Sequence, residues 1–347
     1  GDIDEPTLAF GLQDVNRDGR DIQERQLHLD PLLCRRLRER ARALGVSVAS
    51  LMHLAWGRVL GQLSGRDDVV FGTVLLGRMQ GGAGADRALG MFINTLALRI
   101  SVGDEGVEQA LLGTHARLSQ LLGHEHASLA LAQRCSAVPA SLPLFNSLLN
   151  YRHSANLADD PQESTIWDGI RVLESSERSN YPLALNIDDD SQGLRLTVQA
   201  VAPVDGARVC GYLACVLEHL VQALEQTPDK ALQAIPVLPK AERRQVLVEF
   251  NATARDYPRQ QTLAQLFEAR VQAHPRQVAA VHGQEVLSYA QLNARANQLA
   301  RHLQTLGVQP GDHLALLLPS SAAPPMCRWT AMPRPNARTS WSVIAAA

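Results

Sequence analysis

The stretch GRDDVVFGTVLLGR, residues 65–78, decides the fold of the larger part of this chain. Its centre, VVFGTVLL (69–76), is almost continuously apolar and rich in β-branched residues, which predicts a strand buried on both faces. A glycine-rich loop (Gly81–Gly84) follows, and MFINTLALRI (91–100) predicts a second strand after it. The sequence therefore predicts two strands joined by this loop.

Segments with helical periodicity surround these strands. Apolar residues at helical spacing predict helices over 31–44 and 107–122 and from Asp205 onward, and a long apolar segment covers 48–63. Further strands are predicted at 144–151, 181–187 and 194–201. The first part of the chain is therefore predicted to be an α/β domain.

The second part of the chain begins after a segment rich in proline and charge. We place a domain over 1–235, a linker over 236–260, a second domain start over 261–319 and a tail over 320–347. In the second domain, Thr262 with Gln265 and Ser288 with Gln291 fit the capping box. The pattern also predicts a hairpin over 277–287 that turns at Gly283, a helix over 289–306 and a buried strand over 313–319.

Composition excludes several classes of protein. The 347 residues carry 33 Lys and Arg against 35 Asp and Glu, a balance that predicts no nucleic-acid partner. No apolar run reaches about 18 residues, so no membrane span is predicted. Five scattered cysteines without a CxxC pair favour a reducing, cytoplasmic setting. The chain begins with Gly1 rather than Met, and we expect it to start within a longer protein.

Two short motifs have alternative interpretations. His124-Glu125-His126 places two imidazoles in alternation, but no third ligand is near in sequence, so a loop role is favoured over a metal site. Asp188-Asp189-Asp190 lacks the spacing of a calcium loop, which favours a hairpin turn. No P-loop, GxSxG, HExxH or GxGxxG motif is present. From the residues alone, the chemistry stays unassigned.

Four blocks in the first 235 residues resemble the condensation domain of nonribosomal peptide synthetases. GRDDVVFGTVLLGR (65–78) is similar to GxDDVVFG…SGR, and GMFINTLALR (90–99) resembles GxFINTLPxR with Ala97 in place of proline. HEHASL (124–129) is a looser match to HQDxPF, and PLFNSLLNYR (143–152) resembles PLFxVxFNYQ. Their order and spacing are those of the family. ERSNYPLALNIDD (177–189) is similar to a segment of condensation domains that receive or produce an epimerised chain.

The second part resembles the beginning of an adenylation domain. The segment LSYAQLNARANQLARHLQTLGVQPGDHLALLLP (287–319) is typical of the adenylate-forming family, with LSYAQL at the position of its LTYxEL element. Condensation followed by adenylation is the module order of these synthetases. The expected architecture is therefore α/β: a chloramphenicol-acetyltransferase-like condensation lobe followed by the N-terminal segment of an adenylate-forming domain.

The resemblance implies amide-bond formation between carrier-bound peptidyl and aminoacyl thioesters. The partners that it implies are carrier domains with phosphopantetheine and the remainder of the synthetase chain. The family histidine lies in an HHxxxDG motif, which this sequence lacks, so the lobe that carries it is expected before Gly1. ATP and Mg would serve the missing adenylation core, and the chain itself is expected to bind no cofactor or metal directly.

The resemblance also implies four supporting residues. Arg78 is the candidate to pair with the missing aspartate of HHxxxDG, with a surface arginine as the alternative. Asn94 and Thr95 are expected to line or brace the tunnel floor, and Asn150 to hydrogen-bond the reacting amine or thioester, with a core-satisfying asparagine as the alternative. No residue of this chain is assigned as catalytic or as general base.

Two further alternatives concern the whole chain and its tail. A lobe without its histidine could be a non-catalytic docking fragment for carrier protein or a pseudogene product, whereas a free-standing acyltransferase is disfavoured by the attached adenylation segment. After Pro319 the resemblance stops. A shift of the reading frame by two nucleotides permits GAAYVPLD, an element of adenylation domains, so the tail is predicted to be frameshifted, with a disordered tail as the alternative.

Overall fold

A computed structural model of the chain describes residues 3–12, 21–78, 89–153, 179–190, 193–309 and 311–314. The chain divides into two compact units, the first ending at Ala252 and the second beginning at Thr253. This division falls inside the segment 236–260 that the sequence marks as a linker. The four segment boundaries taken from the sequence stay predictions.

A six-stranded mixed sheet forms the centre of the first unit. Its strands are β1 (Ile22–His28), β2 (Asp68–Leu75), β3 (Asn94–Ser101), β4 (Ser147–His153), β5 (Leu183–Asp189) and β6 (Leu194–Val201). They lie in the order β1-β6-β5-β4-β2-β3. Strand β4 is parallel to both β2 and β5, and the other pairs are antiparallel. The predicted strand 69–76 is confirmed as β2, inside the sheet, whereas β1 was not predicted.

The described part of the first unit has six α-helices, four of which begin at a capping side chain. They are α1 (Pro31–Ala43), α2 (Val48–Ser64), α3 (Val107–Leu122), α4 (Leu129–Cys135), α5 (Gly206–Gln226) and α6 (Lys240–Arg244), which a π turn (Gln245–Glu249) extends. Asp30, Ser47 and Asp205 accept backbone N–H groups of the first turns of α1, α2 and α5. These bonds satisfy donors that a helix start otherwise leaves unpaired.

Helix α2 is the centre of the hydrophobic core. Twelve consecutive residues, Ser50–Gly61, are buried, because α2 contacts α3 and α5 as well as β2, β3 and β4. At Gly57, a Cβ atom would lie 2.9 Å from Cγ2 of Ile100 on β3. The absence of a side chain there lets the helix approach the sheet closely. One sheet face is therefore covered by helices.

Helix α5 is also part of this core. Among the described helices it alone is long and apolar enough to span a membrane, and the pair α1 and α2, bent by 110°, passes the same test only together. However, 61% of the apolar window of α5 is buried inside the unit. Burial against β1, β6 and α2 is the behaviour of a core helix.

The second unit contains two helices and a hairpin. They are α7 (Leu263–Ala273), β7 (Val278–His282), β8 (Glu285–Ser288) and α8 (Tyr289–Thr305). Both predicted capping boxes are present, and the hairpin turns at Gly283, whose φ is 59°. The predicted strand over 313–319 lies mostly outside the described residues, as does the whole tail over 320–347.

Candidate functional site

Arg78 lies in the turn that follows β2. Gly77 before it has a φ of 71°, and a Cβ atom there would be 1.9 Å from the carbonyl oxygen of Phe92, so this turn requires glycine. The guanidinium carbon of Arg78 is 5.1 Å from the centre of the Phe92 ring, and Nη2 donates to the Gly90 carbonyl at 3.4 Å. These contacts place Arg78 at the entry to β3. Its pairing with an aspartate of an HHxxxDG motif stays a prediction.

Asn94 holds the loop that contains HEHASL. Its Nδ2 donates to the carbonyl oxygens of Glu125 at 2.8 Å and Ala127 at 2.7 Å, and its Oδ1 accepts the Thr95 N–H at 2.9 Å. Since carbonyls only accept, these bonds determine how the amide is turned. The FINT and HEHASL motifs, 31 residues apart at Asn94 and Glu125, are thus joined by one side chain.

The HEHASL loop turns the chain from α3 to α4. His124 and His126 are exposed, whereas Glu125 is buried, and His126 Nε2 lies 3.8 Å from Glu125 Oε1. Ser128 then caps α4 by accepting the Leu131 N–H. Within the described ranges, no group of three or more His, Cys, Asp or Glu side chains is arranged to hold a metal ion.

Thr95 and Asn150 lie on the sheet face opposite α2, which we call the second face, and α4 and a small apolar cluster around Phe145 cover part of it. Thr95 pairs with Val74 of β2, and Asn150 follows Leu149, a core residue that pairs with Thr73. Side chains alternate along a strand, so Asn150 and Thr95 share the face opposite Leu149. The four predicted residues therefore do not form one cluster. Arg78 and Asn94 hold the segments around the start of β3, whereas Thr95 and Asn150 belong to the second face of the sheet.

Asn186 is a residue of this second face that the sequence did not single out. It pairs with Asn150 across the parallel strands β4 and β5, and Asn150 Nδ2 donates to Asn186 Oδ1 at 3.1 Å. One step along, Asp188 accepts from Arg152 at 2.7 Å and from Arg195 at 3.0 Å. The alternation of LALNID, with Asn186 and Asp188 on one face, is the signal that could have identified this polar row.

Asn146 fastens the first described segment, residues 3–12, to the sheet. Its Oδ1 accepts the Ala9 N–H at 3.0 Å, and its Nδ2 donates to the carbonyls of Ala9 at 3.0 Å and Leu12 at 2.8 Å. Phe10, between them, has a φ of 57°, a strained value for a bulky residue. Asn146 is fully buried, and nothing in the strand pattern of LFNSLLNY distinguishes its role from that of Asn150.

Asp189 forms a buried ionic contact on the helix-covered face. Its carboxylate accepts from Arg38 Nη2 at 2.6 Å and from the Tyr151 hydroxyl at 2.5 Å. Burial, together with this carboxylate, raises the pKa of Tyr151, so the hydroxyl keeps its proton and donates. Asp190 accepts the Gly193 N–H at 2.7 Å. Asp188 and Asp189 are the last residues of strand β5, so of the predicted turn only Asp190 lies beyond the strand.

His53 on α2 is a buried histidine whose ring nitrogens both form hydrogen bonds inside the core. Its Nδ1 lies 2.6 Å from the Ala49 carbonyl, which only accepts, so Nδ1 carries the proton and Nε2, 2.7 Å from the Thr73 hydroxyl, accepts. Burial lowers the pKa of His53 to about 4, which keeps the ring neutral at pH 7. Both ring nitrogens are occupied within the protein, so we assign His53 a structural role.

Comparison with known proteins agrees with the motifs. The family profile described as "Condensation domain" matches residues 5–247, and that described as "AMP-binding enzyme" matches residues 267–327. Malpibaldin synthetase of Mortierella alpina is 47% identical over 320 residues, which are 92% of this chain and 6% of the synthetase. Gramicidin S synthase 2 of Brevibacillus brevis is 28% identical over 283 residues, which are 80% of this chain and 6% of that synthase.

A solved structure shows the same fold. A four-domain nonribosomal peptide synthetase, crystallised with AMP and glycine, aligns with a TM-score of 0.62 at 15% identity, over 90% of this chain and 24% of that one. The predicted α/β condensation fold and the predicted family are confirmed. The chain spans only a small part of these relatives and belongs to the condensation-domain family of nonribosomal peptide synthetases, with the beginning of an AMP-binding domain after it.

Proposed function

We propose that this chain is a piece of a synthetase module whose activity is amide-bond formation between two carrier-bound thioesters. The observation that carries the proposal is the order of the two family matches, condensation over 5–247 and AMP-binding over 267–327. The partners in this proposal are the donor and acceptor carrier domains and the rest of the synthetase. The relatives' names support this setting, and a cytoplasmic location goes with it.

In the proposed reaction, the amine of an aminoacyl thioester attacks the carbonyl carbon of a peptidyl thioester. A C–N bond forms and the C–S bond to the donor phosphopantetheine breaks. The nitrogen loses a proton, and the donor sulfur leaves as a thiol. The extended chain stays on the acceptor carrier. The epimerisation subtype, predicted from residues 177–189, would add inversion of the donor's terminal residue and stays a prediction.

We assign supporting roles to the residues of this chain. Arg78 and Asn94 hold the segments around the start of β3, and Thr95 and Asn150 belong to the second face of the sheet. We assign no general base here, since the sequence contains no HHxxxDG motif. Phosphopantetheine enters as the arm of the carriers. The described residues of the second unit are capped helices and a hairpin that offer no cluster for Mg, so no step is derived through ATP.

The absence of an HHxxxDG motif in these 347 residues also favours a second candidate, docking of a carrier domain without catalysis. Both candidates use the same fold. They differ in whether product forms when a lobe with the histidine motif is present.

The test compares this chain with a longer polypeptide that adds a lobe carrying HHxxxDG before it. Each protein is mixed with loaded donor and acceptor carriers, and mass spectrometry of the phosphopantetheine arms measures the extended thioester. We expect product from the longer polypeptide and none from the chain alone. Product from the chain alone would refute the supporting roles. Carrier binding without product from the longer polypeptide would replace the proposal with docking.

A further inference from the structure

Asn150 and Asn186 form a side-chain pair on the second face of the sheet. The parallel register of β4 and β5 places them side by side, and their neighbours Leu149 and Leu185 point into the helix-covered core. Asn186 is 8% exposed, whereas Asn150 is half-buried. The more deeply buried amide therefore lies beside the more accessible one.

The hydrogen bond between them determines the orientation of the Asn150 amide. Nδ2 of Asn150 donates to Oδ1 of Asn186 at 3.1 Å. An amide group is planar, so a bond that holds Nδ2 toward β5 directs Oδ1 of Asn150 away from it. Among the described residues, Oδ1 of Asn150 accepts no hydrogen bond. It is an oriented acceptor on a half-buried side chain.

The surroundings of the pair keep it in place. The adjacent row of the same face is held by Asp188, which accepts from Arg152 on β4 and Arg195 on β6. On the other side of Asn186, strand β6 places Thr197 directly opposite it, and Thr197 is 6% exposed. Charged contacts on one side and burial on the other restrict the rotamers that Asn186 can adopt.

We propose that Asn186 is a positioning residue: it orients Asn150 so that Asn150 Oδ1 accepts a hydrogen bond from the amine of the acceptor aminoacyl thioester. An amine that attacks a carbonyl carbon must keep its lone pair directed at that carbon, and an acceptor for one of its N–H groups holds it in that orientation. This inference rests on the proposed function. It adds to that function the residue that orients the Asn150 side chain.

The first experiment tests the pair without any turnover. Side-chain amide resonances of Asn150 are followed by NMR in the 347-residue chain, in Asn186→Asp, which keeps the accepting oxygen, and in Asn186→Leu, which removes it. We expect the Asn150 resonances to persist in Asn186→Asp and to shift in Asn186→Leu. Two results would overturn the proposed donor and acceptor roles: Asn150 resonances that are equal in all three proteins, or Asn150 resonances that are lost in Asn186→Asp alone.

The second experiment measures condensation in the longer polypeptide with the histidine lobe. We expect Asn186→Leu and Asn150→Ala each to lower kcat about tenfold, and the double variant to lose no more than either, because the two residues act as one unit. Asn186→Asp should restore most of the rate. Ser119→Ala, which removes an exposed hydroxyl on α3, is the control, with an expected rate equal to wild type.

The outcomes separate the two levels of the proposal. If the wild-type polypeptide forms no product, the proposed function is rejected, and the NMR experiment alone then tests the hydrogen bond between Asn150 and Asn186. Additive losses in the double variant, or a fully active Asn186→Leu in an active wild-type background, reject the positioning role alone. Thermal midpoints of all variants identify losses that come from unfolding.

Discussion

The two units of this chain contain similar local signals but differ in burial. In the first unit, α2 buries twelve consecutive residues between the sheet and the helices α1, α3 and α5. In the second unit, neither α7 nor α8 has a buried residue, and Leu287 is the only apolar residue of its described part that is buried. Apolar side chains such as Leu263 and Leu306 are 69% and 66% exposed there.

This difference shows that a periodic pattern identifies a face suited to burial, and that burial itself requires a second layer. Helix α8 begins with a capping box as well formed as any cap in the first unit. The described part of the second unit offers that helix only a two-stranded hairpin and α7. A two-stranded hairpin is at best marginally stable in water, so the stability of the second unit should depend on further contacts.

The largest effect should follow from separating the units after Ala252. We expect residues 1–252 to unfold cooperatively, because they contain the whole sheet and core. Residues 253–347 alone should show no cooperative transition and should bind a hydrophobic dye, because their apolar faces are exposed. Circular dichroism melts and dye fluorescence of the two fragments make the comparison, and a sharp melt of residues 253–347 would contradict it.

Within the first unit, a buried and a more exposed ion pair on the two faces of the sheet should differ in their sensitivity to loss of charge. Asp189→Asn removes the negative charge that faces Arg38 on the helix-covered face, and we expect it to cost about 3–5 kcal/mol of unfolding free energy. Asp188→Asn is the matched control on the second face, where the side chains of its partners Arg152 and Arg195 are 35% and 46% exposed. It should cost less than about 1 kcal/mol. Equal losses in urea unfolding would show that the two faces do not differ in this way.

The sequence predicted the elements whose causes are local. The continuous apolar run of β2, the two capping boxes and the hairpin at Gly283 each depend on neighbouring residues, and each is present. The family motifs likewise identified Asn94 and Arg78, but not what they contact. Asn94 bonds carbonyls 31 and 33 residues away, which no local pattern encodes.

The missed residues are those whose roles depend on contacts made by the folded chain. Asn146, Asn150 and Asn186 lie in similar apolar surroundings in the sequence, yet Asn146 holds the chain near Ala9 and the other two pair on the second face of the sheet. His53 has the spacing of any core residue of α2, and only its position beside Thr73 shows that it is neutral and doubly bonded. Strand β1 was missed because its exposed, charged residues hide the alternation that marks a strand.

Acid should weaken the first unit through His53. Its pKa is about 4 in the folded chain and near 6.5 when unfolded, so the unfolded chain binds a proton that the folded chain does not. This contribution to stability is complete above pH 6.5 and is lost as the pH falls to about 4, by roughly 3 kcal/mol.

The measurement is the pH dependence of urea unfolding for residues 1–252. His53→Gln should be less stable at pH 7 but should lose less stability between pH 6.5 and 4 than wild type does. Thr73→Val removes the hydrogen bond to Nε2 while keeping the histidine, so it should retain the acid-dependent loss. The same acid dependence in His53→Gln and wild type would assign the loss to other groups.

The smallest effect concerns the helix caps, and its readout should differ between the units. Ser288→Ala removes the oxygen that accepts the Gln291 N–H at the start of α8, and Ser47→Ala removes the equivalent oxygen that accepts the Ser50 N–H at α2. Each change should lower the unfolding free energy by about 1 kcal/mol.

The two variants should differ in helix content. Helix α2 is held by burial, so Ser47→Ala should leave helicity unchanged and lower only the stability of the first unit. Helix α8 has no buried residue, so Ser288→Ala should reduce helix content by circular dichroism at 25 °C in the full chain. Unchanged helicity in Ser288→Ala would show that contacts other than its cap hold α8.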